Sequence, residues 1–317
     1  MRVVIVIKCL TIFLISNHVQ GARILGLFPY TGKSHHMVFE PLLRKLAEKG
    51  HQVTVASFFP LKNPPANYVD ISFEGVADVR LDNFDLDLYE NLGVINYVPK
   101  IRNILMMLGE FKDLSAIGVN LCSKLINLPS LNEALKKEYD VVLMENFNSD
   151  CMFGLLHVYR NKAPIIGLSS CNLMPWSAER LGASDNPSYV PVAGTRFTTT
   201  MTFLQRMENT FWRIFTKLAF RYSVQNEEQA LIEKKFGRQI PDFANLGRNI
   251  SMMFVNTYHA LHGVTPLVPG LVEVGGMHLN ETKQDIPLVS FIKKSHSINK
   301  RSTLASIIAL FNFGLAD

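Results

Sequence analysis

The sequence lacks the features that mark several large classes of protein. Beyond residue 21 it has no run of about 20 apolar residues, so no membrane-spanning helix or transmembrane anchor is predicted. Of its four cysteines, the three that follow residue 21 (Cys122, Cys151 and Cys171) match no metal-site spacing and allow at most one disulfide with a free thiol left over. A formal charge of +5 in 317 residues, without a dense basic patch, argues against a nucleic-acid partner.

Three common catalytic motifs are also absent. The sequence has neither the G-x-S-x-G elbow of a serine hydrolase nor the H-E-x-x-H of a zinc protease. The segment GLFPYTGKS is similar to a phosphate-binding P-loop, but five residues separate Gly26 from Gly32 where the motif needs four. The chemistry must therefore come from other residues.

The first 21 residues have the pattern of a secretory signal peptide. Arg2 is followed by an apolar stretch that runs to Ile15, and Gly21 is a small residue suited to cleavage after it. Asn249 and Asn280 begin N-x-S/T sequons, which are meaningful because a signal precedes them. We therefore predict a glycoprotein of the endoplasmic reticulum lumen or secretory pathway.

A histidine follows the first predicted strand of the mature chain. The apolar runs Ile24–Phe28 and Val53–Phe58 predict two strands, and Ser34 is a suitable N-cap for a helix between them. The apolar residues of this helix recur at helical spacing, at Phe39, Leu42, Leu43 and Leu46. His35 is thereby placed beyond the carboxyl end of a strand, where open α/β sheets bind their ligands.

Strand-like runs and helical patterns alternate along the rest of the chain. Further strands are predicted at Tyr139–Met144, Ile165–Ser169, Met252–Asn256 and Leu271–Val274. This alternation predicts an α/β fold with a Rossmann-like, doubly wound parallel sheet. The segment Pro60–Val98 contains a Pro-Pro pair and an acid-rich stretch, and we interpret it as a solvated loop.

The segment Thr199–Gly237 predicts a long helical region with an apolar stripe and a basic side. The stripe consists of Phe203, Met207, Phe211, Ile214, Phe215 and Leu218. The basic side carries Arg206, Arg213, Lys217 and Arg221. A basic amphipathic helix is typical of peripheral membrane contact, and a helix packed on its own domain is the alternative.

Several segments resemble animal UDP-glycosyltransferases, especially the insect type. They are Ala22–Phe59 with its Ser34-His35 pair and GHQVTV, Tyr139–Cys151, Lys162–Cys171, Met201–Thr210 and Phe254–Leu279. The resemblance implies that residues 22–286 form the N-terminal, acceptor-binding domain of an inverting two-domain GT-B glycosyltransferase. It also implies a UDP-sugar donor, with UDP-glucose usual in insects, a small lipophilic acceptor, and no metal or other cofactor.

The resemblance also assigns catalytic residues. In this family the histidine of the S-H pair is the general base, and His35 matches it; a side chain with an unperturbed pKa of about 6.5 suits that role. A carboxylate behind the ring would fix its tautomer. Glu145 at the end of a strand and Asp150 in the following segment are both candidates for this partner.

Family-like sequence stops near residue 286, and residues 287–317 form a tail that does not match. The donor-binding domain expected of the family is missing, so we expect this chain alone to be a truncated form without useful transferase activity. The rival hypothesis is a non-catalytic lumenal protein, either a lipophile-binding module or a regulatory partner that forms an oligomer with full-length relatives.

Overall fold

Short apolar runs alternate with helices through the part of the chain that the structure describes. The computed structural model describes residues 21–79, 99–263 and 265–279. The strands are β1 (Arg23–Phe28), β2 (Gln52–Ser57), β3 (Tyr68–Ser72), β4 (Val141–Glu145), β5 (Ile165–Ser169), β6 (Ile250–Val255) and β7 (Leu271–Glu273). The helices are α1 (Lys33–Glu48), α2 (Pro99–Leu125), α3 (Pro129–Leu135), α4 (Cys151–Val158), α5 (Phe203–Phe220), α6 (Asn226–Phe236), α7 (Phe243–Gly247) and α8 (His259–His262), together with a 3-10 turn (Ala178–Arg180) and a π-helical turn (Arg221–Gln225).

The strands form one parallel sheet. Their order is β3-β2-β1-β4-β5-β6-β7, and every neighbouring pair runs in the same direction. The chain winds outward from β1 through β2 and β3, then returns to β4 on the other side of β1 and winds in the opposite sense. The predicted Rossmann-like, doubly wound α/β fold is confirmed, and its topological switch point lies between β1 and β4.

Both faces of the sheet are covered, which explains why its central strands are apolar at nearly every position. On one face Phe28 and Val55 pack against Phe39 and Leu43 of α1. On the other face a larger cluster joins β1, β4 and β6 to α2, α4 and α7. The first residue of β1, Arg23, is exposed, whereas the following five residues are buried.

Two local predictions were wrong. The segment interpreted as a solvated loop contains β3, an edge strand in which Tyr68 is buried, two residues are half-buried and two are exposed. The first helix is capped by Gly32 rather than Ser34, because the Gly32 carbonyl accepts the His35 N–H and α1 begins at Lys33. Ser34 is an exposed residue of the first helical turn.

The long helical region is interrupted by the π-helical turn between α5 and α6. Thr202 begins it with a capping box, in which Thr202 and Gln205 each bond the other's backbone N–H. One side of α5 is solvent-exposed, and we call Phe203, Leu204, Met207, Phe211, Ile214 and Leu218 its apolar face. Their exposure ranges from 50% at Leu218 to 72% at Leu204, so this face is not packed against the part of the chain that the structure describes. No helix among the described residues has the length and apolar character needed to cross a bilayer.

A disulfide links two helices near the switch point. Cys122 near the end of α2 is bonded to Cys151, the first residue of α4, while Cys171 is a free thiol. The bridge spans 29 residues of sequence and ties α2 to the segment that follows β4. Such a closed loop lowers the entropy of the unfolded chain and so favours the folded state.

Several predicted features lie outside the described residues. They are the signal segment up to residue 20, the later part of the segment Pro60–Val98, the sequon at Asn280 and the tail 287–317.

Candidate active site

His35 lies in the first turn of α1, directly after the loop that leaves the carboxyl end of β1. Its ring contacts two aromatic side chains, with centroid distances of 4.2 Å to Phe147 and 4.7 Å to Tyr30. Tyr30 follows β1, Phe147 follows β4, and the centroids of these two rings are 5.0 Å apart, so one aromatic cluster surrounds His35 beside the switch point. The ring is largely but not fully buried, with 16% of the side chain exposed.

Glu145, the last residue of β4, reaches the His35 ring. Its Oε1 is 3.0 Å from Nδ1, and its side chain is only 3% exposed. Because β1 and β4 are parallel neighbours, their carboxyl ends meet at one edge of the sheet. That arrangement brings Glu145 to a histidine that lies 110 residues earlier in the chain.

Both described polar contacts of the His35 ring are made by Nδ1. Besides Glu145, the Oγ of Ser170 lies 2.6 Å from this nitrogen. Nε2 is therefore the nitrogen that remains for a ligand hydroxyl. A carboxylate behind Nδ1 with a free Nε2 is an arrangement suited to general-base chemistry.

Asp150, the other candidate partner of His35, is engaged elsewhere. Arg180 Nη2 donates to both of its carboxylate oxygens, at 2.8 and 2.6 Å, and Gln225 Nε2 donates to Oδ2 at 2.7 Å. All three side chains are buried. The geometry brings Glu145 and not Asp150 to the His35 ring, because the segment after β4 turns Asp150 toward the 3-10 turn and the π-helical turn.

A second buried carboxylate lies beside Asp150. Glu228 of α6 accepts hydrogen bonds from Ser149 Oγ at 2.6 Å and from the Asp150 backbone N–H at 2.8 Å. Burial, with a smaller contribution from the charge of Asp150, raises the pKa of Glu228 to about 8. Protonation of Glu228 near neutral pH removes the repulsion between its carboxylate and that of Asp150.

The hydrogen bonds of Ser149 and Asp150 fix the loop between β4 and α4, and this loop carries Phe147. The Phe147 carbonyl accepts from Trp176 Nε1 at 2.9 Å, and Asn148 Nδ2 donates to the Leu114 carbonyl at 2.9 Å. Trp176 in turn stacks on Phe220, the last residue of α5. The wall of the His35 site is thereby attached to α2 and α5 as well as to the buried carboxylates.

The neighbouring His36 points into the core and is not part of the site. It packs against Phe28 and Phe59, and burial lowers its pKa, which favours the neutral ring. Consecutive helical residues face different directions, which explains why only one histidine of the pair reaches Glu145.

A cavity of about 650 Å³ lies away from this site, between α2, α5 and α6. Phe111, Phe215 and Leu231 are among its lining residues, whereas His35, Glu145 and Ser170 are not. The described residues include no cluster of three His, Cys, Asp or Glu side chains that could hold a metal ion.

Sequence reasoning overlooked Ser170 and Phe147 at this site. Ser170 follows β5, which is the parallel neighbour of β4. The sequence contained the relevant signal, since polar residues that follow adjacent parallel strands meet at the same sheet edge.

The fold and the site together define an α/β protein with a histidine–carboxylate pair at the switch point of a doubly wound sheet. The model of the family described as UDP-glucoronosyl and UDP-glucosyl transferase matches residues 25–297, and the chain belongs to this family. The matched range continues past residue 286, the boundary that the sequence patterns suggested.

Curated relatives match along most of this chain. It is 33% identical over 270 residues to UDP-glucosyltransferase 2 of Dactylopius coccus, covering 85% of the chain and 50% of that protein. UDP-glycosyltransferase UGT5 of the same species is 31% identical, with 82% and 48% covered. UDP-glucuronosyltransferase 2B1 of Rattus norvegicus is 26% identical, with 80% and 49% covered. The chain spans about half the length of these relatives.

Solved structures of glycosyltransferases are also similar, at low identity. The glycotransferase of kitacinnamycin gives a TM-score of 0.38 at 13% identity, covering 77% of this chain and 48% of that one. Phytolacca americana UGT2, complexed with UDP-2fluoro-glucose and pterostilbene, gives 0.33 at 14% identity, covering 80% and 54%.

Proposed function

We propose that this chain is the acceptor-binding part of an inverting UDP-sugar glycosyltransferase with His35 as its general base. The observation that carries the proposal is the 3.0 Å contact between His35 Nδ1 and Glu145 at the switch point of the sheet, in a chain that belongs to this family. Glu145 is the partner carboxylate, and Asp150 has a structural role.

In the proposed reaction His35 Nε2 takes the proton of an acceptor hydroxyl. The acceptor oxygen attacks the anomeric carbon of the sugar, and the bond from that carbon to the UDP oxygen breaks as the new bond forms. UDP leaves with the electron pair of the broken bond. Glu145 stabilises the imidazolium that results, because its carboxylate faces Nδ1.

The acceptor is a small lipophilic molecule with a hydroxyl group. The aromatic rings of Tyr30 and Phe147, which contact His35 and each other, give the site an apolar wall beside the base. We place the acceptor here and not in the cavity between α2, α5 and α6, because a base must come within hydrogen-bond reach of the proton it takes.

The donor is a UDP-sugar, with UDP-glucose favoured by the name of UDP-glucosyltransferase 2 of Dactylopius coccus and by the family resemblance. The curated relatives are about twice as long as the matched segment, and the rest of a GT-B enzyme would hold the nucleotide and diphosphate. In the full-length form the two parts together would bring the sugar to the hydroxyl beside His35.

We expect the 317-residue chain alone to bind phenolic acceptors and to transfer no sugar. Positioning of the reacting groups supplies about 7–11 kcal/mol of the barrier, and the donor would lack most of its contacts. Purified chain with labelled UDP-glucose and a panel of phenols tests both points, with calorimetry for acceptor binding. Turnover that disappears in His35→Ala would show that the donor part is dispensable, and the absence of binding by any phenol would contradict an acceptor site.

The rival function is a non-catalytic lumenal protein that binds lipophiles or regulates full-length relatives by forming an oligomer with them. The exposed apolar face of α5 favours it, because large exposed apolar patches mark interaction surfaces. Fusion to the donor-binding part of a relative discriminates the two functions, since a regulatory module would gain no transferase activity from it.

We also propose entry into the secretory pathway and peripheral contact of the apolar face of α5 with the membrane. Asn249 is exposed and directly precedes β6, so it lies at the amino ends of the strands, whereas His35 lies at their carboxyl ends. A glycan on Asn249 would not obstruct the site. In eukaryotic cells we expect a glycosidase-sensitive band, cleavage after Gly21, and a membrane fraction that alkaline carbonate releases. A band that glycosidase does not shift, with Met1 retained, would contradict this localisation.

A further inference from the structure

Ser170 lies one residue beyond β5 and reaches the base that we assign to the reaction. Its Oγ is 2.6 Å from His35 Nδ1, closer than the 3.0 Å that separates the same nitrogen from Glu145 Oε1. Three elements therefore meet at a single ring nitrogen: α1 supplies the histidine, β4 ends in the carboxylate, and β5 is followed by the hydroxyl.

The number of hydrogens available at Nδ1 limits what these groups can do. An ionised carboxylate accepts hydrogen bonds and donates none. If Nδ1 carried no hydrogen, its lone pair and those of the Glu145 oxygen would repel each other. Nδ1 therefore carries the hydrogen of the neutral ring. Toward that nitrogen the Ser170 oxygen then has only the acceptor role, and one hydrogen is shared by two acceptors, as in other three-centre hydrogen bonds.

We propose that Ser170 is a positioning residue for His35. It shares the Nδ1 hydrogen with Glu145 and thereby keeps Nε2 unprotonated toward the acceptor hydroxyl. This inference rests on the proposed function, because it assigns Ser170 to the same base.

The surroundings of Ser170 hold it in place for this role. Asn256, which follows β6, donates from Nδ2 to the Ser170 carbonyl at 2.9 Å and from its backbone N–H to the Ser169 carbonyl at 2.9 Å. Asn256 Oδ1 accepts the Gly276 N–H at 3.3 Å. The peptide that carries the hydroxyl is thus attached to the next strand of the sheet and to the turn after β7.

The opposite role for Ser170 would have a distinct consequence. If its O–H donated to Nδ1, the neutral ring would carry its hydrogen on Nε2 and could not take a proton from an acceptor. The two roles therefore predict opposite changes in the tautomer of His35 when the hydroxyl is removed. A residue that only filled space would leave the tautomer unchanged.

The test is long-range ¹⁵N–¹H NMR of the histidine-labelled chain at alkaline pH, where neutral tautomers are resolved. His35→Gln assigns the signals of His35. We expect a protonated Nδ1 and a bare Nε2 in the unsubstituted chain. In Ser170→Ala the ratio of the Nδ1–H to the Nε2–H tautomer should fall about fivefold, as expected for the loss of one neutral hydrogen bond. A ratio that stays the same or rises would overturn the proposal.

Three further variants keep the test decisive. Ser170→Thr retains the hydroxyl and should retain the tautomer ratio. Ser170→Cys has only a weak sulfur acceptor and should lower the ratio, which keeps the test usable even if the alanine variant folds poorly. Ser123→Ala removes a half-buried hydroxyl of α2 that donates to the Asn120 carbonyl, and it should leave the His35 signals unchanged. The tautomer ratio is measured without sugar donor or acceptor. A negative result would therefore disprove only the role of Ser170, whereas failure of the proposed transferase function would appear only in an assay of sugar transfer.

Discussion

Replacement of Arg180 by methionine should cost the fold about 3–5 kcal/mol, because it leaves the Asp150 carboxylate buried without its cation. Arg180 Nη2 bonds both Asp150 oxygens, and both side chains are almost fully buried. Methionine retains much of the volume above the Phe153 ring, over which the guanidinium lies. The measurement is urea unfolding of the purified chain near pH 7, with unsubstituted protein as reference.

Arg221→Met is the matched control, since it makes the same chemical change at an exposed ion pair. Arg221 bonds Asp242, both side chains are more than a third exposed, and such pairs contribute about 0–1 kcal/mol. The double variant Arg180→Met/Asp150→Asn should regain part of the loss, because it also removes the unpaired charge. If Arg180→Met cost no more than Arg221→Met, the buried pair would not have the role that we assign to it.

Glu228 should make the chain less stable as the pH rises from about 5 to 8. Burial raises the pKa of its carboxyl to about 8 in the folded chain, from an ordinary value of 4.5. Between these two values the folded state holds a proton that the unfolded state has lost, so the free energy of unfolding falls as the pH increases. Between pH 5 and pH 8 the loss amounts to about 3–4 kcal/mol.

Glu228→Gln tests this prediction, because it keeps the shape and an acceptor for the Asp150 N–H but does not titrate. The difference in free energy of unfolding, variant minus unsubstituted chain, should increase in favour of the variant by that amount between pH 5 and pH 8. Taking the difference cancels most contributions of the other titrating groups. A difference that is constant across this range would mean that Glu228 is ionised in the folded chain throughout.

Much of the fold follows from local sequence patterns. β5 has the predicted bounds, and β1, β2, β4, β6 and β7 were predicted with shifts of one or two residues at their ends, because short apolar runs bounded by turn residues determine a buried parallel strand. β3 was overlooked because an edge strand buries few side chains and so has no apolar run. The Gly32 cap was overlooked because the backbone path of the preceding loop, and not the side chain of Ser34, decides where α1 begins.

The candidate site was only partly predictable. His35 and Glu145 each follow or end a strand, and topology brings the carboxyl ends of neighbouring parallel strands together. The separation of Glu145 from Asp150 could not be predicted, because it depends on Arg180, which lies 30 residues after Asp150 in a 3-10 turn without apolar periodicity. Gln225 likewise reaches Asp150 from the π-helical turn, and no helical pattern in the sequence indicates that turn.

The central claim is that His35 is the base of a sugar transfer, and the most direct test supplies the donor-binding part. Residues 22–286 would be fused to the portion of Dactylopius coccus UDP-glucosyltransferase 2 that the match does not span, and the initial rate of glucose transfer to a phenol would be measured. His35→Ala should lower kcat by about 10²–10⁴-fold, the usual contribution of a general base, whereas His157→Ala, an exposed histidine of α4, should leave it unchanged. Transfer at the same rate with and without the His35 imidazole would contradict the account.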